Sequence, residues 1–323
     1  MSNNLGVLKF IARRLALGLL TLFVVSVVVF AATQLLPSDP AQAILGRNAT
    51  AKSVAALRTK LGLDHTALYQ YTHWLKGIVT GDPGDSFAAN VPILSYISDR
   101  VVNSLFLLFL ASVISIPVAL WLGGYSARKR DTTFDNVTSN TMLALASLPE
   151  FVVGIIFVLV FSVRLWHVLP AVSSIDIGKG PWSDMKGMVL PTATLVIGAV
   201  PYISRVVRAS MIEVLESDYI EMARLKGAPE KAVLWRHALP NALGPVFQVI
   251  ALNIAYFAAG VIVVEALFNY PGIGGALRDA VRVRDIPVIQ FLVMVLATVY
   301  VVTNLAADVA TVLVTPRLRT RIQ

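Results

Sequence analysis

The residues best suited to chemistry are few and scattered. Four histidines stand at 65, 73, 167 and 237. None falls in an H-E-x-x-H pair that would put two ring nitrogens on one helical face for zinc. There is no cysteine, which excludes disulfides, thiolate catalysis and Cys-ligated metal. Gly178-Lys179-Gly180 does not supply the G-x-x-x-x-G-K-[ST] loop of a phosphate cradle, so the chain does not hydrolyse ATP by that route. Ser112, Ser115, Ser139 and Ser147 lack a G-x-S-x-G context and read as packing or hydrogen-bonding serines. The carboxylate that stands out is Glu150, directly after Pro149 in an otherwise apolar run. A charge at such a place costs roughly 2.5–3.5 kcal/mol on insertion scales, which makes it a candidate for a translocation path or a paired helix break. Asn103, Asn253 and Asn304 sit in similar runs as candidate interhelical hydrogen-bonders, and Asn103 and Asn253 as candidate path residues. Glu265 and Asp308 stand at run ends, where a carboxylate can reach water or an interfacial arginine.

The elements that carry these residues are membrane helices. Of the 323 residues 56% are hydrophobic and 14% charged, against roughly 25% charged in soluble domains. Crossing the hydrocarbon core takes about 20 apolar residues. Residues 15–36, 101–127, 136–163, 187–204, 238–264 and 286–307 meet that length, and the third run carries one charge, Glu150. An all-α, polytopic fold with about six spans follows. Pro117, Pro149, Pro191, Pro201 and Pro245 lie in these runs, and a packed bundle tolerates such kinks. Arg13 and Arg14 before the first run and Ala41-Gln42-Ala43 after it outline a signal peptide. The run is longer than the 7–15 residues of a signal core, so it reads as a retained helix.

The net charge of +8 suits a membrane better than nucleic acid, because the cations cluster between apolar runs. With a cytoplasmic N-terminus, fifteen cations fall inside, from Lys9, Arg13 and Arg14 to Arg317, Arg319 and Arg321. Six fall in the two short outer loops. The positive-inside rule therefore puts both termini in the cytoplasm. Residues 1–36 form the N-terminus and first helix, 37–100 an outer segment and 101–323 a five-helix core with a loop at 213–240. Within the outer segment Val54, Leu57 and Leu61, then Leu68, Tyr71, Trp74, Leu75 and Ile78, have helical spacing. Gly81-Asp82-Pro83-Gly84-Asp85-Ser86 reads as turns.

The loop between the fourth and fifth runs is specified in detail. Asp218 and Glu221 have the spacing of a capping box, with Ser217 a second candidate cap. Lys226 suits the last turn of a helix, Gly227 a left-handed C′ position, and Pro229 the first turn of the next helix. Two short helices meeting at a sharp bend result. Such an elbow suits a socket on a partner.

This loop resembles the EAA motif of ABC importer permeases, E-A-A-x3-G-x9-I-x-L-P. Glu221, Met222, Ala223, Gly227, Leu239 and Pro240 fall at its spacing, with Met222 for the middle Ala and His237 for the Ile. The flanks, Asp218-Tyr219 and Arg236-His237-Ala238-Leu239, are similar to the dipeptide/oligopeptide branch. Further signatures run along the chain: Leu35-Leu36-Pro37-x-Asp39-Pro40, Leu61-Gly62-Leu63-Asp64, Gly81-Asp82-x-Gly84-x-Ser86, Glu265-x-x-Phe268-x-x-Pro271-Gly272-Ile273-Gly274 and Arg284-Asp285-x-Pro287. Thr315-Pro316-Arg317 and Ile286 depart from the family's usual Asp-Pro-Arg and Tyr.

The resemblance implies a bacterial cytoplasmic-membrane permease, not an enzyme, with no cofactor of its own. Its partners would be a second homologous permease, two ABC ATPase subunits that bind Mg-ATP, and an extracytoplasmic binding protein that delivers a di- or oligopeptide. Asp218, Tyr219, Glu221, Ala223, Gly227, His237, Leu239 and Pro240 would form the ATPase-coupling loop. The same permease type also serves glutathione, nickel complexes and oligosaccharides. A secondary transporter is the rival reading, and it should show inverted repeats with matching broken helices. No matching halves are visible.

Overall fold

The chain folds as a bundle of long helices, seen in a computed structural model that describes residues 2–35, 39–46, 49–60, 62–164, 167–175 and 178–314. Leu36, Pro37, Leu61 and the 315–317 signature lie outside the described residues. Helix α1 spans Ser2–Gln34, and three short helices follow: α2 (Pro40–Leu45), α3 (Ala51–Lys60) and α4 (Ala67–Thr80). The long α5 covers Ile93–Arg128 and so begins inside the segment read as extracytoplasmic. Next come α6 (Thr133–Ala146) and α7 (Glu150–Phe157), which continues as a π-helix over Val158–Arg164. Helix α8 spans Val189–Leu215, α9 Asp218–Leu225 and α10 Glu230–Ala232. A π-helical turn, Val233–Ala238, joins α10 to α11 (Leu239–Leu267). Helix α12 (Ile273–Val283) and the long α13 (Ile286–Val314) complete the fold. Among the described residues there is one isolated β-bridge, Asp85 with Pro92, and no named strand.

Four helices, α1, α5, α8 and α13, are long and apolar enough to cross a membrane. Helices α6 and α7 form a fifth candidate as a bent pair, with 101° between them. The third run is therefore broken at Ser147–Pro149, at the proline expected to kink it and beside the carboxylate read as a candidate helix break. Pro149 cannot donate to the helix ladder and disfavours helical backbone at Leu148. Its own ψ of 140° is extended. Pro117, Pro201 and Pro245, by contrast, stay inside continuous helices. Helix α11 is 29 residues long and uncharged from 238 to 264. Helix α8 runs past the expected end at 204, so Arg205 and Arg208 ride on a helix and not in a loop. The turn signals at 81–86 are realised, with Gly81 and Gly84 at φ +80° and +83°.

Helix α8 is the hub of the packing. Leu195, Ala199, Ile203, Val207 and Met211 along it are buried against α5 and α11. Where α5 crosses α8, any Cβ on Gly123 would strike the carbonyl of Ser204. Small residues at such crossings bring membrane helices into backbone contact, where packing must replace the absent hydrophobic drive. Helix α1 packs on α13 and leaves Leu15, Leu19, Leu20 and Phe23 exposed, as a lipid-facing helix does. Outside the bundle, Phe30 of α1 meets Tyr71 and Trp74 of α4 at 5.3 and 6.1 Å.

The tertiary fold joins signatures that are far apart in sequence. Asp285 accepts from the Ser86 hydroxyl and from the backbone N–H groups of Phe87 (3.0 Å) and Ala88 (3.3 Å). Arg58 pairs with Asp39 and Asp64, and Asp39 also caps α2 by accepting from the Ala41 N–H at 2.8 Å.

Candidate functional site

The elbow expected between α8 and α11 is present. Helix α9 leaves α8 after only Glu216 and Ser217. It ends in a Schellman closure. The Gly227 N–H donates to the Arg224 carbonyl (2.8 Å) and the Ala228 N–H to the Ala223 carbonyl (3.1 Å). Gly227 holds φ +79°, in the left-handed region that glycine enters without steric cost. Arg224 closes the bend from outside by pairing with Glu230 at 2.9 Å. Pro229 stands at the N-cap of α10, one residue before the expected first turn.

Two details differ from the sequence reading. Lys226 is the C-cap residue, and Arg224 occupies the last turn. The Asp218–Glu221 capping box does not form, because Asp218 is already the first residue of α9 and the N-cap is Ser217, which turns its hydroxyl back onto the carbonyl of Val214. That carbonyl belongs to the last turn of α8, where acceptors lack helical partners. The hydroxyl thus serves the end of α8, while the Ser217 carbonyl accepts from the Ile220 and Glu221 N–H groups at the start of α9.

The two faces of α9 are unlike. Ile220 is fully buried, together with Val233, Leu234 and Ala238 from the second limb. Tyr219, Met222 and Leu225 recur every three residues on the outer side and are 40, 54 and 75% exposed. Trp235 on the second limb is exposed as well. The inner face fixes the elbow to the bundle, and the outer face is an exposed apolar stripe. Of the residues expected in the coupling loop, Asp218, Tyr219, Glu221, Gly227 and Pro240 are exposed, and Ala223, His237 and Leu239 half-buried. The His237 carbonyl accepts from Asn241 Nδ2 (2.7 Å) and Tyr219 Oη (3.4 Å), which ties the two limbs together. The π-helical turn just before Pro240 gives the ring room where a regular turn would clash with the carbonyl four residues back.

The membrane candidates separate into different settings. Glu150 begins α7 at the break and lies between α8 and α11. A Cβ on Gly198 would sit 2.7 Å from Oε1, and one on Gly260 2.5 Å from Oε2. Its Oε1 is buried and has no hydrogen-bond partner. Gly198 is nine residues, about 14 Å, below the start of α8. Asn103 donates from Nδ2 to the Pro271 carbonyl (2.9 Å), and its own carbonyl accepts from the Tyr270 hydroxyl (2.9 Å). Asn253 and Asn304 bond within their own helices, to the carbonyls of Val249 and Tyr300. Asp308 pairs with Arg14 at 3.2 Å, as a run-end carboxylate can.

Glu265 does not reach water. It is 1% exposed and accepts from the Ser104 hydroxyl and the Gly274 N–H (2.6 Å). Ser104 in turn accepts from the Ile273 N–H at 2.8 Å. One carboxylate thus binds α5, α11 and the start of α12, and Gly272 is close enough that any side chain there would collide with it. The clue in the sequence was the glycine pair at 272 and 274 following an apolar-run carboxylate. A second polar centre, Asp135 with Arg208, gave no such signal because its members are 73 residues apart.

Comparison with known proteins agrees along nearly the whole chain. Residues 115–320 match the family described as binding-protein-dependent transport system inner membrane component. Residues 7–117 match the N-terminal domain described for the same membrane component. A probable peptide ABC transporter permease of Sinorhizobium fredii is 35% identical over 311 residues, covering 96% of this chain and 99% of that one. The glutathione transport system permease GsiC of Escherichia coli K12 is 35% identical over 314 residues, covering 97% and 99%. The chain therefore belongs to the inner-membrane permease components of binding-protein-dependent ABC transporters.

Proposed function

We propose that this permease forms half of the translocation path of a peptide importer and receives its mechanical input through the elbow at 217–240. The observation that carries the reading is the stripe of Tyr219, Met222 and Leu225 on a bend that the Schellman closure and a buried inner face hold rigid. Exposed apolar side chains on a fixed helix suit a socket on another protein. The partners in this reading are a second permease, two ATPases carrying Mg-ATP, and an extracytoplasmic binding protein. Helix α11 serves as the sixth span, and both termini lie with the elbow in the cytoplasm.

The elbow is continuous with α8 on one side and α11 on the other. When ATP draws the ATPases together, a tilt of α9 passes to both helices and changes their packing as rigid bodies. Peptide cargo is supported by the relative named for peptides, and by the relative named for glutathione, itself a tripeptide.

The reading is tested by co-expressing candidate ATPase subunits with wild type, Gly227→Pro and Glu221→Lys. Loss of ATPase co-purification in both variants, at normal membrane insertion, is expected. Equal recovery in all three would remove the elbow as the coupling element.

A further inference from the structure

A cavity of about 170 Å³ opens between α5, α6 and α8, on the same side of the bundle as the elbow. The ion pair of Arg130 with Glu216 shows that the α5–α6 turn and the elbow share that side. Six polar residues line the cavity: Ser126, Thr138, Ser139, Ser204, Arg205 and Arg208. It is larger than a single-water site.

The donors and charges in this wall do not cancel. Ser126 is 1% exposed, and its Oγ is buried without a hydrogen-bond partner. Buried hydroxyls in folded proteins are nearly always bonded, so such an atom marks a place where a partner belongs. Asp135 is saturated. It accepts from Arg208 Nε and Nη2 (2.7 and 2.6 Å), the Asp131 N–H (3.1 Å) and the Ser139 hydroxyl (3.4 Å). That fork neutralises Arg208. Arg205, one turn earlier on α8, is exposed and pairs with no carboxylate among the described residues. The wall therefore carries one uncompensated guanidinium beside a set of hydroxyls, one of them unbonded. Guanidinium and hydroxyl donors around a small polar hollow match a phosphate group, whose oxygens accept from several directions.

The depth supplies the source. Trp121 stacks on Tyr125 with ring centres 5.8 Å apart, and Tyr125 meets Phe134 edge-on at 5.0 Å. The Lys129 ammonium lies 5.9 Å from the Tyr125 ring centre. Aromatic rings joined by a cation mark the headgroup level of a membrane helix, and basic pockets between helices at that level take anionic headgroups.

We propose that this cavity binds the phosphate group of an anionic phospholipid from the leaflet on the elbow side. Such a lipid ties α6 to α8 at the foot of the elbow. The site stands independently of the cargo and of ATPase docking.

The test uses the assembled transporter in nanodiscs of phosphatidylcholine with phosphatidylglycerol. Native mass spectrometry counts the lipid that stays bound to wild type, Arg205→Gln and Ser126→Ala. Wild type is expected to keep phosphatidylglycerol in preference to phosphatidylcholine. Arg205→Gln should lower its retention roughly tenfold, the scale of one charge-assisted hydrogen bond. Ser126→Ala should lower retention less, while leaving thermal stability without anionic lipid equal or higher, since it removes an unbonded buried hydroxyl. That pair of readouts still decides if Arg205→Gln fails to assemble. A parallel arm adds millimolar inorganic phosphate. Displacement of the lipid by phosphate would keep the phosphate site and assign it to the free anion. Equal phosphatidylglycerol retention in all three proteins, unmoved by phosphate, would overturn the proposal.

Discussion

Gly227 and Glu150 show how much single positions carry here. Gly227 sits at φ +79°, with nothing within 4 Å of where a Cβ would be. Substitution there is penalised by backbone conformation alone. Left-handed backbone costs an ordinary L-residue roughly 1–2 kcal/mol, asparagine less, and proline cannot enter it or donate to Arg224. ATPase retention is therefore expected to fall in the order Gly, Asn, Ala, Pro at 227. Pull-down of the four proteins checks it, and Ala equal to Pro would show that flexibility, not the left-handed turn, is what matters. At Glu150 the constraint is space. Gly198→Val or Gly260→Val should lower the yield of folded protein, and Glu150→Ser added to either should restore much of it. Such recovery is a coupling that distant, independent sites do not show. Failure to recover would mean that each glycine is needed for helix contacts other than with Glu150.

At the scale of elements, the segment from α11 to α13 is held by polar latches and not by apolar packing alone. Glu265 accepts from Ser104 and Gly274, Asn103 holds Pro271, and Tyr270 donates to Asn103. Burial, with the Glu265 and Asp184 carboxylates nearby, pushes the Tyr270 hydroxyl well above its usual range, so it remains a donor. Removing an acceptor from such a cluster strands its donors, at about 1–3 kcal/mol for each buried group. Glu265→Ala should therefore lower the unfolding midpoint in detergent clearly more than an exposed substitution such as Glu213→Ala. Glu265→Gln, which keeps one acceptor oxygen, should fall between. Equal midpoints for Glu265→Ala and Glu213→Ala would mean that the latch adds nothing to stability. The bend between α6 and α7 belongs to this scale as well, since it is what brings Glu150 inward between α8 and α11.

For the molecule as a whole, the useful property is its lack of cysteine, which makes any introduced thiol a unique probe. Asn90 and Lys226 are both exposed, in the turn before α5 and in the elbow. With the elbow in the cytoplasm, Asn90→Cys should react with a membrane-impermeant maleimide in intact cells. Lys226→Cys should react only after permeabilisation. Labelling of both from the same side would refute the six-span reading, because the chain between these positions would then cross the membrane an even number of times. Asp285 bears on the same scale, because it fastens the turn at 86–88 to the start of α13 and so joins the outer segment to the core.

The sequence by itself determined the class of fold and the shape of the elbow. Apolar runs of bilayer length permit only helices, because every backbone polar group must be satisfied within its own segment. The bend at Gly227 is likewise written locally, since a Schellman closure involves only residues 223–228. Helices α3 and α4 were legible for the same reason, from spacing within 10 and 14 residues. What only the tertiary structure decided are the pairings across long separations. Glu265 read as a run-end charge because Ser104 lies 161 residues away. Ser217 holds the N-cap position it was read for, but its hydroxyl bonds the end of α8, a contact that depends on how α8 terminates. Arg205 and Arg208 lie past the apolar run that ends at 204, and how far α8 continues beyond that run is set by its packing on α5 and α6. In each case the partner group, not the residue's own neighbourhood in sequence, fixes where the side chain goes.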